Sequence, residues 1–470
     1  MNLRLEMALI TVGFNQRIKS YNKRALALSQ LKTNHKMSSY IASYLLLFLP
    51  VIASVFCFLI NFKKTDFWIF AGTILTMLFL VANLSLDFAG SNVAIKNDSG
   101  LGILSIPTEY YLDFLALFFI ASSLATRLAL AFFYNQDVAE VLGDDNRQLF
   151  YTTSLLNLFG LVGIFATNNI FNLFIFIEIY CLTFCAIMAM SNDISISKLA
   201  FKYFCQSALA SIMLLLALVL IYVFSGQLKI DEIAHLTIIE NSDLIFWLVA
   251  IAVLLKFFPL QIYFRILKSQ DLLANFLVSF AFIISGLVGF YLLLKMALFL
   301  FHPSEIFFNL LIGTGFGLVF YGSYKMSRTS HLRVIAAYFS LINLGLVLIA
   351  IGFFTDRAFF VSLIYIASYA FSGAMIFLLS SIMHKNFFSS NLRHLPLIKK
   401  MGLRKKVVML IAVIIAINPP IALMFWSNWH LALLAFNFNI GILSIIPMVI
   451  ANLAMTRLVI KGNSKNLFFS

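Results

Sequence analysis

The feature that most constrains this chain is a succession of apolar runs, each about 20 residues long, repeating almost from one end to the other. A helix of that length matches the hydrocarbon thickness of a bilayer, and it satisfies its own backbone hydrogen bonds where no water is present. The runs lie near 40–61, 67–86, 110–133, 150–167, 170–190, 200–224, 244–264, 274–300, 306–323, 333–354, 358–381, 407–426 and 431–455. The expected architecture is an all-α membrane protein of about thirteen transmembrane helices, with no soluble domain between them. Composition excludes the alternative, because 62% of the 470 residues are hydrophobic and 11% are charged, more apolar surface than a soluble fold can bury.

Lys and Arg in short loops mark the cytoplasmic side. The 382–406 loop carries Lys385, Arg393, Lys399, Lys400, Arg404, Lys405 and Lys406 without an acid, and Lys325, Arg328 and Arg333 lie in the preceding short loop on the same side. Arg457, Lys461 and Lys465 place the C-terminus there too, so thirteen spans put the residues before the first span outside. Residues 1–36 conflict with this, carrying seven Lys and Arg against Glu6. Translation from Met37 would remove the conflict; a basic targeting segment or an ordinary basic tail are the rivals. The expected divisions are this segment, N-terminal helices over 37–135, two helical units over 150–300 and 306–455, and a cytoplasmic tail over 456–470. A bacterial inner membrane is the expected location, with the mitochondrial inner membrane as the alternative. A reporter fused after Lys465 should read cytoplasmic, and a reading from the other side would undo the span count.

The net charge of +14 sits in loops at helix ends, so lipid head groups are the expected partner and nucleic acid is not. Cys57, Cys181, Cys185 and Cys205 fall inside apolar spans and read as packing residues. No CxxC, HExxH, GxGxxG or phosphate-binding Gly-Lys signature occurs, so no cofactor, metal site or catalytic residue is expected in this chain.

Charges inside spans are costly in hydrocarbon and mark candidate ion pathways. Glu178 stands in the middle of "NLFIFIEIYCLTFCAIM", too deep for its short side chain to reach water; the bland reading is a protonated carboxyl in a packed interface. Lys256 stands in "LVAIAVLLKFFPLQIYF", three residues before Pro259, where a broken helix frees carbonyls beside the ammonium. A lysine reaching along its helix to the membrane surface is the alternative. Lys202 opens the sixth span and reads either as a pathway residue or as a helix-end anchor. A second break, at Pro419 and Pro420, lies five spans after the first. Matched breaks are the sequence sign of an internal transporter repeat, here two five-helix units formed by spans four to eight and nine to thirteen.

Four stretches together resemble the antiporter-like membrane subunits of respiratory NADH:quinone oxidoreductase (complex I) and of multisubunit Mrp sodium/proton antiporters. They are "LFGLVGIFATNNIFNLFIFIEIYCLTFCAIMAM", "KLAFKYFCQSALASIMLLLALVLIYVFSGQL", "HLRVIAAYFSLINLGLVLIAIG" and "YIASYAFSGAMIFLLSSIM", the last similar to subunit N. The resemblance covers roughly 110–430. It implies inverted repeats, an ion-translocating subunit for protons or for sodium and protons, partners in a membrane complex, and redox chemistry housed in other subunits. It also implies that Glu178 and Lys256 form the ion-handling pair of the first half, with Lys202, Asp113 and Arg333 at commonly polar positions. The chain departs from the family pattern at three places. Lys256 lies three rather than five residues before its proline, which turns it about 160° from the expected face. The lysines expected near Gly286 and Ser427 are absent, with only His430 close to the second. A degenerate subunit that only scaffolds such a complex, or an independent secondary transporter, are the alternative readings.

Overall fold

The computed structural model describes residues 41–59, 65–91, 95–97, 110–234, 242–258, 264, 266, 272–295, 305–353, 356–387 and 423–437. The residues described are almost entirely helical. In chain order they are α1 (Ile41–Leu59), α2 (Thr65–Ser91), β1 (Ile95–Asn97), β2 (Tyr110–Leu112), α3 (Phe114–Ala166), α4 (Ile170–Ala189) and α5 (Ile194–Ser225). There follow α6 (Ile230–Ala234), α7 (Ser242–Phe257), α8 (Leu272–Phe280), α9 (Gly286–Lys295), α10 (Glu305–Arg328), α11 (Leu332–Gly352), α12 (Asp356–Phe387) and α13 (Leu423–Asn437). Nine helical stretches among the described residues are long and apolar enough to cross a membrane.

The α8–α9 rod is the centre of the packing. Its stretch Phe276–Lys295 is buried along its whole length, and a π-helical turn at Ala281–Ser285 joins the two helices. Such a turn withdraws a carbonyl from the helix ladder, and the Tyr369 hydroxyl of α12 donates to the Phe282 carbonyl. By contrast, a third of the α5 span is buried, and its Phe201, Ile212 and Val223 face outward as a lipid- or partner-facing side.

Helices approach closely where glycine removes the side chain. On α3, a Cβ at Gly160 would stand 2.9 Å from the Tyr180 backbone nitrogen of α4. Where α10 meets α11, Gly315 and Gly345 face each other, each Cβ position 2.6 Å from the other's carbonyl oxygen. Small residues let membrane helices pack backbone to backbone in this way.

Three differences from the sequence reading have physical causes. The third span runs to Gly143, where a positive φ of 69° kinks α3 before the fourth begins. The polar stretch 134–149, read as a loop, is helical because its charges find distant partners: Arg147 pairs with Asp66 of α2 at 3.3 Å, and Asp137 pairs with Lys385 of α12. The gap left between spans twelve and thirteen at 427–430 is continuous helix in α13, where the Ser427 hydroxyl is buried against that of Ser368, 3.1 Å away. A two-stranded antiparallel pair, Ile95 opposite Leu112, adds a small non-helical element to the expected all-α fold.

The Asp66–Arg147 pair ties α2 to the second half of α3 with both side chains buried. Asp66→Asn should destabilise the chain by about 3–5 kcal/mol, because it leaves a buried guanidinium without its counter-charge. Thermal unfolding of the purified protein measures this, and a melting temperature equal to wild type would show the pair to be incidental.

Candidate ion-handling site

Glu178 lies midway along α4, whose start is fixed by Asn169: its Oδ1 accepts from the Phe171 and Asn172 amides. Lys256 is the penultimate residue of α7. The two meet across α5, with Lys256 Nζ 2.6 Å from Glu178 Oε1. The ammonium also donates to Ser211 Oγ at 2.8 Å and Ser207 Oγ at 3.3 Å, so each of its three protons has a partner. Ser211 donates to the same carboxylate oxygen at 2.7 Å.

The orientation of Lys256 follows from how α7 ends. Helical structure stops at Phe257, and the last carbonyls are taken by side chains of α5. Tyr203 donates to the Lys256 carbonyl at 3.1 Å and Gln206 to the Leu255 carbonyl at 3.1 Å. These two bonds hold the last turn against α5, and the lysine stands on the side that faces Glu178. The rotation expected from the spacing to Pro259 therefore does not carry Lys256 away from its partner. Pro259, Pro419 and Pro420 lie outside the described residues.

The two charges differ in exposure: the Lys256 side chain is 1% exposed and the Glu178 side chain 26%. The carboxylate borders a groove of about 330 Å³ between α4 and α5, lined by Cys181, Leu182, Phe204, Ser207, Ser211 and Ile212. That is room for on the order of ten waters. Leu182 and Ile212 are exposed, so the groove opens on the outer face of the bundle.

Other buried hydroxyls lie in the centre of the bundle, on the side of α4 that a turn of about 200° carries away from Glu178. Two residues beyond Glu178, the Tyr180 hydroxyl lies 2.9 Å from that of Ser285 in the π-turn. At the next residue, Gly286, a Cβ would stand 2.9 Å from the Tyr369 hydroxyl. Tyr369 thus occupies the space in which a longer side chain at 286 would stand. Ser368, Ser372 and Ser427 form a separate buried group on α12 and α13, the Ser368 and Ser427 hydroxyls 3.1 Å apart.

The other sequence candidates lie apart from the pair. Lys202 is exposed on α5, inside the helix rather than at its end, and His430 is exposed on α13 beside Trp426. Arg333 is buried near the start of α11. Asp113 caps α3, accepting from the Ala116 amide at 2.7 Å.

Lys295, unremarked in the sequence, is buried at the end of α9. It donates to the Thr167 carbonyl at 3.0 Å and the Tyr291 hydroxyl at 2.7 Å, within electrostatic reach of Asp113. Arg127 was also missed: it sits at 2% exposure in the apolar run of α3. Its signal, one charge amid "SSLATRLALAFF", is the same that marks Glu178.

The chain is 26% identical over 375 residues to NADH-quinone oxidoreductase subunit M of Buchnera aphidicola subsp. Baizongia pistaciae, covering 73% of this chain and 72% of that one. It is 26% identical to NADH-quinone oxidoreductase subunit N of Rickettsia prowazekii over 50% of this chain, and spans about half (53%) of that relative. Among solved structures it is similar to a chain of the Mrp complex from Dietzia sp., with TM-score 0.76 and 16% identity over 89% of this chain and 79% of that one. That likeness shows the fold. The sequence model of the NADH:quinone oxidoreductase/Mrp antiporter transmembrane family matches residues 167–454, more than half of the chain, and the chain belongs to that family.

Proposed function

We propose that this chain is an ion-translocating membrane subunit of a complex I-like or Mrp antiporter-like assembly, handling protons or sodium and protons through the Glu178–Lys256 pair. One observation carries the reading: a lysine at 1% exposure within 2.6 Å of a carboxylate that borders a groove of about 330 Å³. Opposite charges at this depth offset each other's desolvation, and a shared hydrogen bond lets a proton or a cation exchange the pair's state. The buried hydroxyl pairs Tyr180–Ser285 and Ser368–Ser427 are polar groups that a path toward the second half would use in place of a lysine at 286 or 427.

The groove also supports assembly. A carboxylate open to lipid is costly, and a partner subunit laid over α4 and α5 would close that opening while leaving water inside. This favours a complex over an independent transporter. The proposal includes thirteen helices in two inverted five-helix repeats, a place in the bacterial inner membrane, and redox cofactors held by other subunits.

The test is flux in proteoliposomes containing the assembly with its partner subunits. Proton or sodium movement driven by a pH gradient or by the complex's own reaction is the expected result. An intact assembly without flux would refute translocation and leave the chain as a scaffold.

A further inference from the structure

Arg127 stands near the middle of the Phe114–Gly143 span and is 2% exposed. A bare guanidinium at that depth is among the costliest groups a membrane protein can bury. Its NH1 donates to the Ser154 carbonyl at 3.3 Å, its NH2 donates to Asn157 Oδ1, and it lies 4.8 Å from the centre of the Phe280 ring. These partners are neutral. Among the described residues no carboxylate forms an ion pair with it, and the acidic group within electrostatic reach is the Tyr180 phenol. Among the described residues nothing balances its charge.

Two polar atoms beside it are also unpartnered. Arg127 Nε and Ser154 Oγ are buried without a hydrogen-bond acceptor or donor, and both residues line one small cavity. Its remaining wall is largely aromatic and aliphatic, including Phe150, Phe276 and Phe280, with the hydroxyl-bearing Tyr134 and Tyr151. The room inside is about 20 Å³. That exceeds the minimum for one water-sized sphere and suits a single monatomic ion.

We propose that Arg127 and Ser154 form a buried binding site for one small monatomic anion of the halide class. Two unpartnered donors lining one cavity and a positive charge without a counter-charge among the described residues match such an ion in chemistry. A water would accept the same two hydrogen bonds but leave the charge unbalanced, and its own hydrogens would need acceptors from a largely apolar wall. The site is separate from the Glu178–Lys256 pair and does not depend on translocation.

The test uses the full chain in its membrane complex, prepared without halide in gluconate and compared at equal ionic strength with chloride and with bromide. Halide should raise the wild-type melting temperature by several degrees, as binding to the folded state alone does. The rise should shrink in Ser154→Ala and vanish in Arg127→Met. Crystals of the wild type in bromide should show an anomalous peak within hydrogen-bond reach of Arg127 Nε. If Arg127→Met does not fold, the Ser154→Ala comparison and the bromide peak still decide. A wild-type melting temperature indifferent to halide, a halide effect unchanged in Ser154→Ala, or an ordered water in place of the bromide peak would each overturn the proposal.

Discussion

Glu178→Gln and Lys256→Met each lower ion flux in reconstituted vesicles by roughly tenfold or more, a barrier increase of about 1.4 kcal/mol or above. Each substitution removes one half of a pair whose members are 2.6 Å apart. The two are unequal in stability. Lys256 is sealed at 1% exposure, so Glu178→Gln strands an ammonium on the Ser207 and Ser211 hydroxyls and costs about 3–5 kcal/mol. Glu178 borders the groove and keeps the Ser211 hydroxyl, so within an assembly that closes the groove over water, Lys256→Met leaves a carboxylate with hydrogen-bond donors, at a smaller cost. The double variant should lose little more flux than the worse single one, because the pair acts as a unit. His430→Ala, at an exposed position on α13, should leave flux near wild type. Full flux in both single variants would remove the pair from the mechanism.

Gly345→Val should destabilise the bundle by about 3 kcal/mol or more through the α10–α11 crossing. At that position a Cβ would stand 2.6 Å from the Gly315 carbonyl oxygen and 2.8 Å from a methyl group of Val319. The nearer obstacle is backbone, which no rotamer change relieves, so the two helices must separate. Gly313→Ala on the same α10 is the control, since nothing lies within 4 Å of its Cβ position. Thermal unfolding of the two purified variants measures the contrast, and equal melting temperatures would show that the crossing is not tightly packed.

The apolar runs made the membrane class and most helix positions legible, since length and hydropathy act locally. The Glu178 and Lys256 candidates were legible for the same reason: each is one charge in a long apolar stretch. The resemblance implied their pairing, whereas the spacing to Pro259 turned Lys256 away, because its direction depends on Tyr203 and Gln206 binding the last carbonyls of α7 from about fifty residues away. Distance in sequence also hid the pairs of Asp137 with Lys385 and Arg147 with Asp66, whose charges made a helical stretch read as a loop. Ser427 misled in the opposite direction, as a polar residue whose hydroxyl is satisfied inside the bundle by Ser368. Arg127 carried a local signal equal to that of Glu178 and is more deeply buried, without a counter-charge from the described residues.

The capping of α7 by α5 makes the fifth helix a lever. Ser207 and Ser211 hold the ammonium, Ser211 holds the carboxylate, and Tyr203 and Gln206 hold the backbone on which the ammonium is mounted. A small slide or roll of that one helix therefore shifts both charges relative to each other without breaking α4 or α7. The opposite side of the same helix, with Phe201, Leu209, Ile212 and Val223 exposed, is available to be gripped. A partner that gripped it would act on the spacing of the two charges through the helix itself.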